Sequence, residues 1–153
     1  MIVYRITNSI YSNDITGTGA RLTGSRWNSK GISMLYTTEH ISLAVLEMLV
    51  HTNFKEYSIE LDLLTIQIPT SSTTSEISIK KLKNGWVNDL GYTRFIGDEF
   101  IKNKQNLLLK VPSAVINEEF NCLVNPLHAD FKKIKIINTR SFTTDERLFS
   151  INE

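Results

Sequence analysis

Residues Met34–His51 read MLYTTEHISLAVLEMLVH, and the hydrophobic pattern changes partway along them. Met34–Thr37 (MLYT) predicts a short strand. Thr37 or Thr38 then offers a hydroxyl to cap a helix, and Glu39 suits the positive end of its first turn. Ile41–His51 predicts that helix. Ile41, Ala44, Val45 and Met48 recur at helical spacing, and Leu49 joins their face. Leu43, Leu46 and Val50 fill a second face, so the helix is expected to be apolar all round and buried.

Outward from this pair, Met1–Thr7 reads as a strand through Ile2, Val3, Tyr4 and Ile6. Tyr57–Ile68 (YSIELDLLTIQI) is the clearest strand, with Tyr57, Ile59, Leu61 and Leu63 alternating with Ser58, Glu60 and Asp62. Leu107–Val111 predicts an apolar strand stopped by Pro112, and Ile134–Ile137 another. Trp86–Leu90 predicts a short helix, and Ile96–Asn103 a helix beginning near Asp98. Pro69–Glu76 (PTSSTTSE) predicts a polar surface linker. Asn121, Asn125, Pro126 and His128, within NCLVNPLH, form a polar group of the kind that stabilises turns. Ser12–Gly31 holds Gly17, Gly19, Gly24 and Gly31 among many Ser, Thr and Asn, and predicts a long loop. Loops of that length in small domains are functional or disordered, and Trp27 in its middle argues for packing. The strands and helices do not alternate regularly, and no internal repeat is visible. The expectation is a single α+β domain over residues 1–153.

Composition bounds the function. Hydrophobic residues at 41% and charged residues at 22% describe a globular chain, neither disordered nor membrane-embedded. Seventeen basic residues against 16 acidic ones leave a net charge of +1, which gives no basic face for non-specific nucleic-acid binding. Arg5 interrupts the N-terminal apolar run before it reaches the roughly seven residues a signal peptide needs. No stretch approaches the roughly 18 apolar residues of a membrane span, so a cytoplasmic protein is expected. Cys122 is the sole cysteine and therefore has no internal partner. His40, His51 and His128 are widely spaced without an HExxH, so no metal is expected.

Four positions carry candidate chemistry. Glu47 sits among Val45, Leu46, Met48, Leu49 and Val50 on the most apolar helix. A carboxylate there escapes to solvent, pairs with a buried Arg, or points into a cleft, because burying it unpaired costs several kcal/mol. Arg26, in GSRWN, offers a planar fork of donors to phosphate oxygens within a glycine-rich segment that allows close backbone approach. Its bland alternative is a surface Arg stacked on Trp27. Neither a P-loop nor a GxGxxG is present. Tyr36 precedes the helix and can serve packing alone. Ser113, in VPSAV, can be a turn residue; without GxSxG it supports no nucleophile elbow.

The segments VYRI, GSRWNSKG, MLYTTEHISLAVLEMLVH, KVPSAV and NCLVNPLHADF occur in an order that resembles the RES domain. That domain is named for its Arg, Glu and Ser, and is the toxin of RES–Xre toxin–antitoxin pairs. The resemblance runs from about Tyr4 to Leu148, where DERLF resembles the closing motif, and is thinnest between residues 69 and 93. The chain departs from the pattern at Ser25, where the family more often has a second Gly. The resemblance implies an ADP-ribosyltransferase-like fold with mixed sheets and a few helices, and NAD as substrate. It places the catalytic set at Arg26, Tyr36, Glu47 and Ser113, and NAD contacts at Arg5, Arg26, Tyr36 and Asn121, with Asn125 in the same polar loop. Arg26 would hold the pyrophosphate and Tyr36 would stack on the cationic nicotinamide ring. Glu47 would accept a ribose hydroxyl and face the charge that develops when the glycosidic bond breaks. It further implies an Xre-type antitoxin as partner, which would itself carry the DNA-binding element, and is compatible with a toxin homodimer in their complex. The acceptor can be water, phosphate or a protein side chain. The rival from another class is a non-catalytic module that binds a nucleotide or partner, against which the complete Arg–Tyr–Glu–Ser set argues.

Overall fold

The computed structural model describes residues 1–51 and 60–148. Its strands are β1 (Ile2–Asn8), β2 (Leu35–Thr38), β3 (Leu61–Gln67), β4 (Thr74–Glu76), β5 (Leu108–Pro112), β6 (Phe120–Val124) and β7 (Lys135–Phe142). Its α-helices are α1 (Thr18–Thr23), α2 (Ile41–His51) and α3 (Leu90–Asn103). The strands form one sheet in the order β4-β5-β6-β2-β1-β3-β7. Neighbours are antiparallel, except that β4 runs parallel to β5. This is an α+β architecture with a mixed sheet.

Alternation along β5 and β6 divides the core in two. Leu108, Cys122 and Val124 join Val3, Leu35, Leu64 and Ile66 in one apolar cluster. Leu109, Val111 and Leu123 join Trp27, Met34, Trp86, Phe100 and Ile101 in the other. Successive strand residues point to opposite faces, so a central strand covered on both sides needs a continuous apolar run, as Leu107–Leu109 supplies. The second cluster matters for function, because α3 and the glycine-rich segment meet the sheet there.

Helix α2 has the predicted bounds, but its cap and burial differ from the expectation. The Thr37 hydroxyl donates to the Cys122 carbonyl and that of Thr38 to the His40 carbonyl, so neither caps the helix. Glu39 lies outside the first turn and pairs with Lys110 at 2.9 Å. Leu43, Ala44 and Met48 are buried, whereas Val50 is 59% exposed. The helix is therefore not buried all round: the side carrying Ala44, Glu47, Met48 and His51 borders a cleft.

Four further readings are corrected. The loop over residues 12–31 contains the short helix α1, bounded by Gly17 and Gly24 with positive φ of 76° and 70°. Gly17 is fixed by space as well, since a Cβ there would lie 2.6 Å from the Met34 backbone. The polar segment before Glu76 ends in β4, whose pairing with β5 outweighs its weak apolar pattern. Helix α3 begins at Leu90 instead of near Asp98, because Asp89 caps it by accepting the Tyr92 N–H at 2.9 Å. NCLV belongs to β6, where Asn121 takes a sheet position between apolar neighbours. The strand predicted at Ile134–Ile137 is β7, which begins one residue later, at Lys135, and runs to Phe142. Residues 57–59 of the predicted Tyr57–Ile68 strand lie outside the described residues, and the remainder forms β3.

Candidate functional site

The sheet, α2 and the glycine-rich segment enclose a cleft of about 830 Å³. Its lining includes Arg5, Arg26, Tyr36, Glu47, His51 and Asn121. Ser113 is fully buried behind the wall, which Ala114 and Val115 form at that point. The sequence-predicted residues thus converge on one place, with Ser113 one layer behind it.

Glu47 resolves the anomaly of a carboxylate on an apolar helix. Its Oε1 accepts from Ser113 Oγ at 2.8 Å and from Asn121 Nδ2 at 2.6 Å. Its Oε2 lies 3.4 Å from His51 Nε2, one helical turn on. The Glu47 side chain is 17% exposed, so it is neither solvated freely nor paired with an Arg. Burial pushes its pKa up, but the hydrogen bonds from His51, Asn121 and Ser113 outweigh that and hold it below the ordinary carboxylate value. The group is therefore an anion at neutral pH. Ser113 is oriented in turn, because its hydroxyl oxygen accepts the Val115 and Ile116 N–H groups at 3.0 and 3.1 Å. That leaves its hydroxyl hydrogen to donate to Glu47.

Asn121 reaches the site from the sheet. It pairs with Thr38 of β2 and Val111 of β5, and shares the face of Leu123 two residues on. Asn125 points elsewhere: its Nδ2 donates to the carbonyls of Phe100 and Ile101, tying α3 to the end of β6. It is a structural residue by these contacts.

Arg26 is held by the Val87 carbonyl, which accepts from Nη1 at 2.5 Å, and lies over the Trp86 ring at 5.9 Å. The aromatic partner is Trp86 instead of its neighbour Trp27, which is buried against the same ring at 5.7 Å between centroids. Arg5 donates to the Asp14 carbonyl at 3.2 Å. Burial lowers its pKa, opposed by Asp14, yet a guanidinium stays charged. Among the described residues each Arg makes one hydrogen bond, so both keep donors for a ligand anion.

Tyr36 does more than pack. Its hydroxyl accepts the Trp27 N–H at 3.0 Å and donates to Asn28 Oδ1 at 2.8 Å. Burial raises its pKa, so it remains a neutral phenol. Asn28 is fully buried, and its Nδ2 donates to the carbonyls of Ala20, Ser29 and Ile32. Tyr36 and Asn28 therefore pin the turn that presents Arg26. Tyr36→Phe leaves the Trp27 N–H without its partner and is expected to cost about 1–3 kcal/mol. Thermal melts of the two proteins check this; an unchanged melting temperature would mean the hydroxyl is dispensable to the loop.

Helix α3 braces the same turn from behind. Thr93 Oγ1 donates to the Arg26 carbonyl at 2.6 Å, Arg94 Nε to the Ser25 carbonyl at 2.8 Å, and Asp98 accepts the Ser29 N–H at 2.9 Å. Sequence reading passes over Thr93, Arg94 and Asp98, because each acts on a backbone group 67 to 69 residues away, and over Asn28, whose role depends on how the turn folds around it. His51 reads in the sequence only as one of three widely spaced histidines; its offset of four from Glu47 on a helix is the available signal. Among the described residues no cluster of three or more His, Cys, Asp or Glu is arranged to hold a metal ion. None of the described helices is long and apolar enough to cross a membrane.

Comparison with known proteins shows the family and the fold. The protein named Toxin Res from Photorhabdus laumondii subsp. laumondii is 37% identical over 152 residues, 97% of each chain. The Prs ADP-ribosylating toxin of a Sphingobium species is 33% identical over 141 residues, 90% of this chain and 88% of that one. Among solved structures, the M. tuberculosis MbcT–MbcA toxin–antitoxin complex contains a chain that superposes with a TM-score of 0.76 at 18% identity. That alignment covers 93% of this chain and 84% of the other, and establishes a common fold. The family model of the RES domain matches residues 2–145, and on that match and these relatives the chain belongs to the RES domain family.

Proposed function

We propose that residues 1–153 act as one RES domain, the toxin of a bacterial toxin–antitoxin pair, which breaks the nicotinamide–ribose bond of NAD. The observation that carries this is an ionised carboxylate, Glu47, fixed by two neutral donors in a cleft that two guanidiniums also line. The cleft volume of about 830 Å³ lies within the range of ligand pockets. Arg5 and Arg26 supply charge-assisted donors suited to a pyrophosphate. As the glycosidic bond breaks, the bonding pair leaves with nicotinamide, which departs neutral and needs no acid. Positive charge then grows on the ribose, where a preorganised carboxylate is worth most. Ser113 and Asn121 both occupy Oε1, so Oε2, which only His51 approaches among the described residues, has a lone pair for a ribose hydroxyl.

The acceptor assigned is water or inorganic phosphate, giving a glycohydrolase or phosphorylase. Transfer to a protein side chain is the second reading, favoured by the relative named as a Prs ADP-ribosylating toxin. Incubating the full chain with NAD, with and without phosphate and with a bacterial cell extract as the source of acceptor proteins, separates these by product mass: ADP-ribose, its phosphate ester, or a protein heavier by one ADP-ribosyl group. Intact NAD in every arm would overturn the enzymatic reading in favour of a binding module. An Xre-type antitoxin is the proposed partner, acting in the cytoplasm by covering the cleft, with a toxin homodimer compatible with their complex.

Arg26→Ala is expected to raise the KM for NAD about 10- to 100-fold with a smaller effect on kcat, because a pyrophosphate contact acts in both ground and transition states. Arg26→Lys should not restore it, since a point charge cannot both hold Val87 and fork onto phosphate. Steady-state kinetics decide, and a loss confined to kcat would remove the pyrophosphate assignment.

A further inference from the structure

We infer that His51 is a positioning residue for Glu47, holding its Oε2 so that the carboxylate faces the cleft before substrate arrives; this rests on the proposed NAD chemistry at that site. The geometry divides the two carboxylate oxygens. Oε1 is held from the sheet side by two donors, which fix the near end of the group. Neither of these two donors touches Oε2. His51 Nε2, 3.4 Å away, is the ion-pair contact to Oε2 among the described residues. It closes the array from the cleft side, being itself part of the lining and 60% exposed at the side chain. His51 sits in the last turn of α2, one helical turn beyond Glu47.

The groups that face Glu47 from the packed elements are neutral: Ser113 after β5 and Asn121 on β6. The charged groups sharing the cleft are Arg5 of β1 and Arg26 of the glycine-rich segment. His51 is thus the titratable neighbour in direct reach of the carboxylate, and its bond is among the causes that keep Glu47 acidic.

The test uses the full chain with His51→Ala and His51→Gln, the latter retaining a side-chain donor. NAD turnover and the Glu47 carboxyl titration, followed by carbon-detected NMR, are measured on both. His51→Ala should lower kcat about 10- to 100-fold with KM within about threefold, as expected for a misaligned but present catalytic group. His51→Gln should recover most of that loss, and the Glu47 midpoint should move up in His51→Ala. Unchanged kcat in His51→Ala, or an unmoved Glu47 midpoint, overturns the inference. Should the wild type consume no NAD, the proposed function fails, while the NMR midpoint still decides whether His51 positions Glu47.

Discussion

Glu47→Gln is expected to leave a folded protein that binds NAD but turns it over at least about a hundredfold more slowly. The substitution is nearly isosteric. The Gln carbonyl oxygen can take the place of Oε1 and accept from Ser113 and Asn121, so those two hydrogen bonds survive, while its NH2 replaces the oxygen that faces His51. What disappears is the negative charge opposite the developing cation, which matters in the transition state more than in the bound substrate. The kinetic signature is a fall in kcat with KM little changed. Equal activity of the two proteins would remove Glu47 from the chemistry, and a collapse in melting temperature would make its role structural.

The pH dependence follows from the same hydrogen bonds. Glu47 has its pKa depressed in the folded state, against the pull of burial. Its ionised form therefore adds stability above the unfolded carboxylate value, and that stability is lost as pH falls through the lower folded value. The difference in melting temperature between wild type and Glu47→Gln should narrow on the acid side of the ordinary carboxylate range. Activity should fall there too, because a protonated Glu47 cannot oppose the charge on the ribose.

Gly97→Ala is expected to be the most damaging single methyl addition. Within a helix interior, Ala is normally favoured over Gly by about 1 kcal/mol. Here an added Cβ would lie 1.7 Å from the Trp27 carbonyl oxygen, 2.7 Å from its carbonyl carbon and 3.1 Å from the Met34 Cε. The oxygen belongs to backbone that Tyr36, Asn28 and α3 hold on several sides, so it has nowhere to retreat. Relief requires α3 and the Arg26 turn to part, at an expected cost of at least about 3 kcal/mol. That corresponds to a melting temperature about 6–12 °C lower for a chain of this size. NAD turnover should fall as well, because the same displacement moves Arg26. Gly91→Ala is the control: its Cβ would meet only Asp89 Oδ1, at 3.5 Å, and stability should hold or rise slightly. A melting temperature for Gly97→Ala at or above wild type would show that α3 does not abut Trp27.

The sequence by itself determined what periodicity and local chemistry control. Strands β1, β2, β3 and β5 and the bounds of α2 are legible because each is a run whose pattern resides in its own residues. Glu47 stands out for the same reason, as a charge where the local pattern demands an apolar side chain. The motif order, from Arg26 to Asn121, also sufficed to suggest the family that the match over residues 2–145 bears out. Tertiary structure alone decided the partners. Ser113 and Asn121 meet Glu47 across 66 and 74 residues of sequence, and nothing in VPSAV or NCLV announces an oxygen waiting there. Asn121 even misled, since an Asn at a site-facing sheet position resembles a turn former when its strand partners are unknown. The strand β4 needed the same knowledge, because a three-residue polar segment becomes a strand only beside the exposed edge of β5. The Arg26 turn takes its shape from Thr93, Arg94 and Asp98, 67 to 69 residues away. Desolvation makes a buried polar group costly to leave unpaired, so such groups find partners in the folded chain, but it does not encode in any local pattern which partner will be in reach.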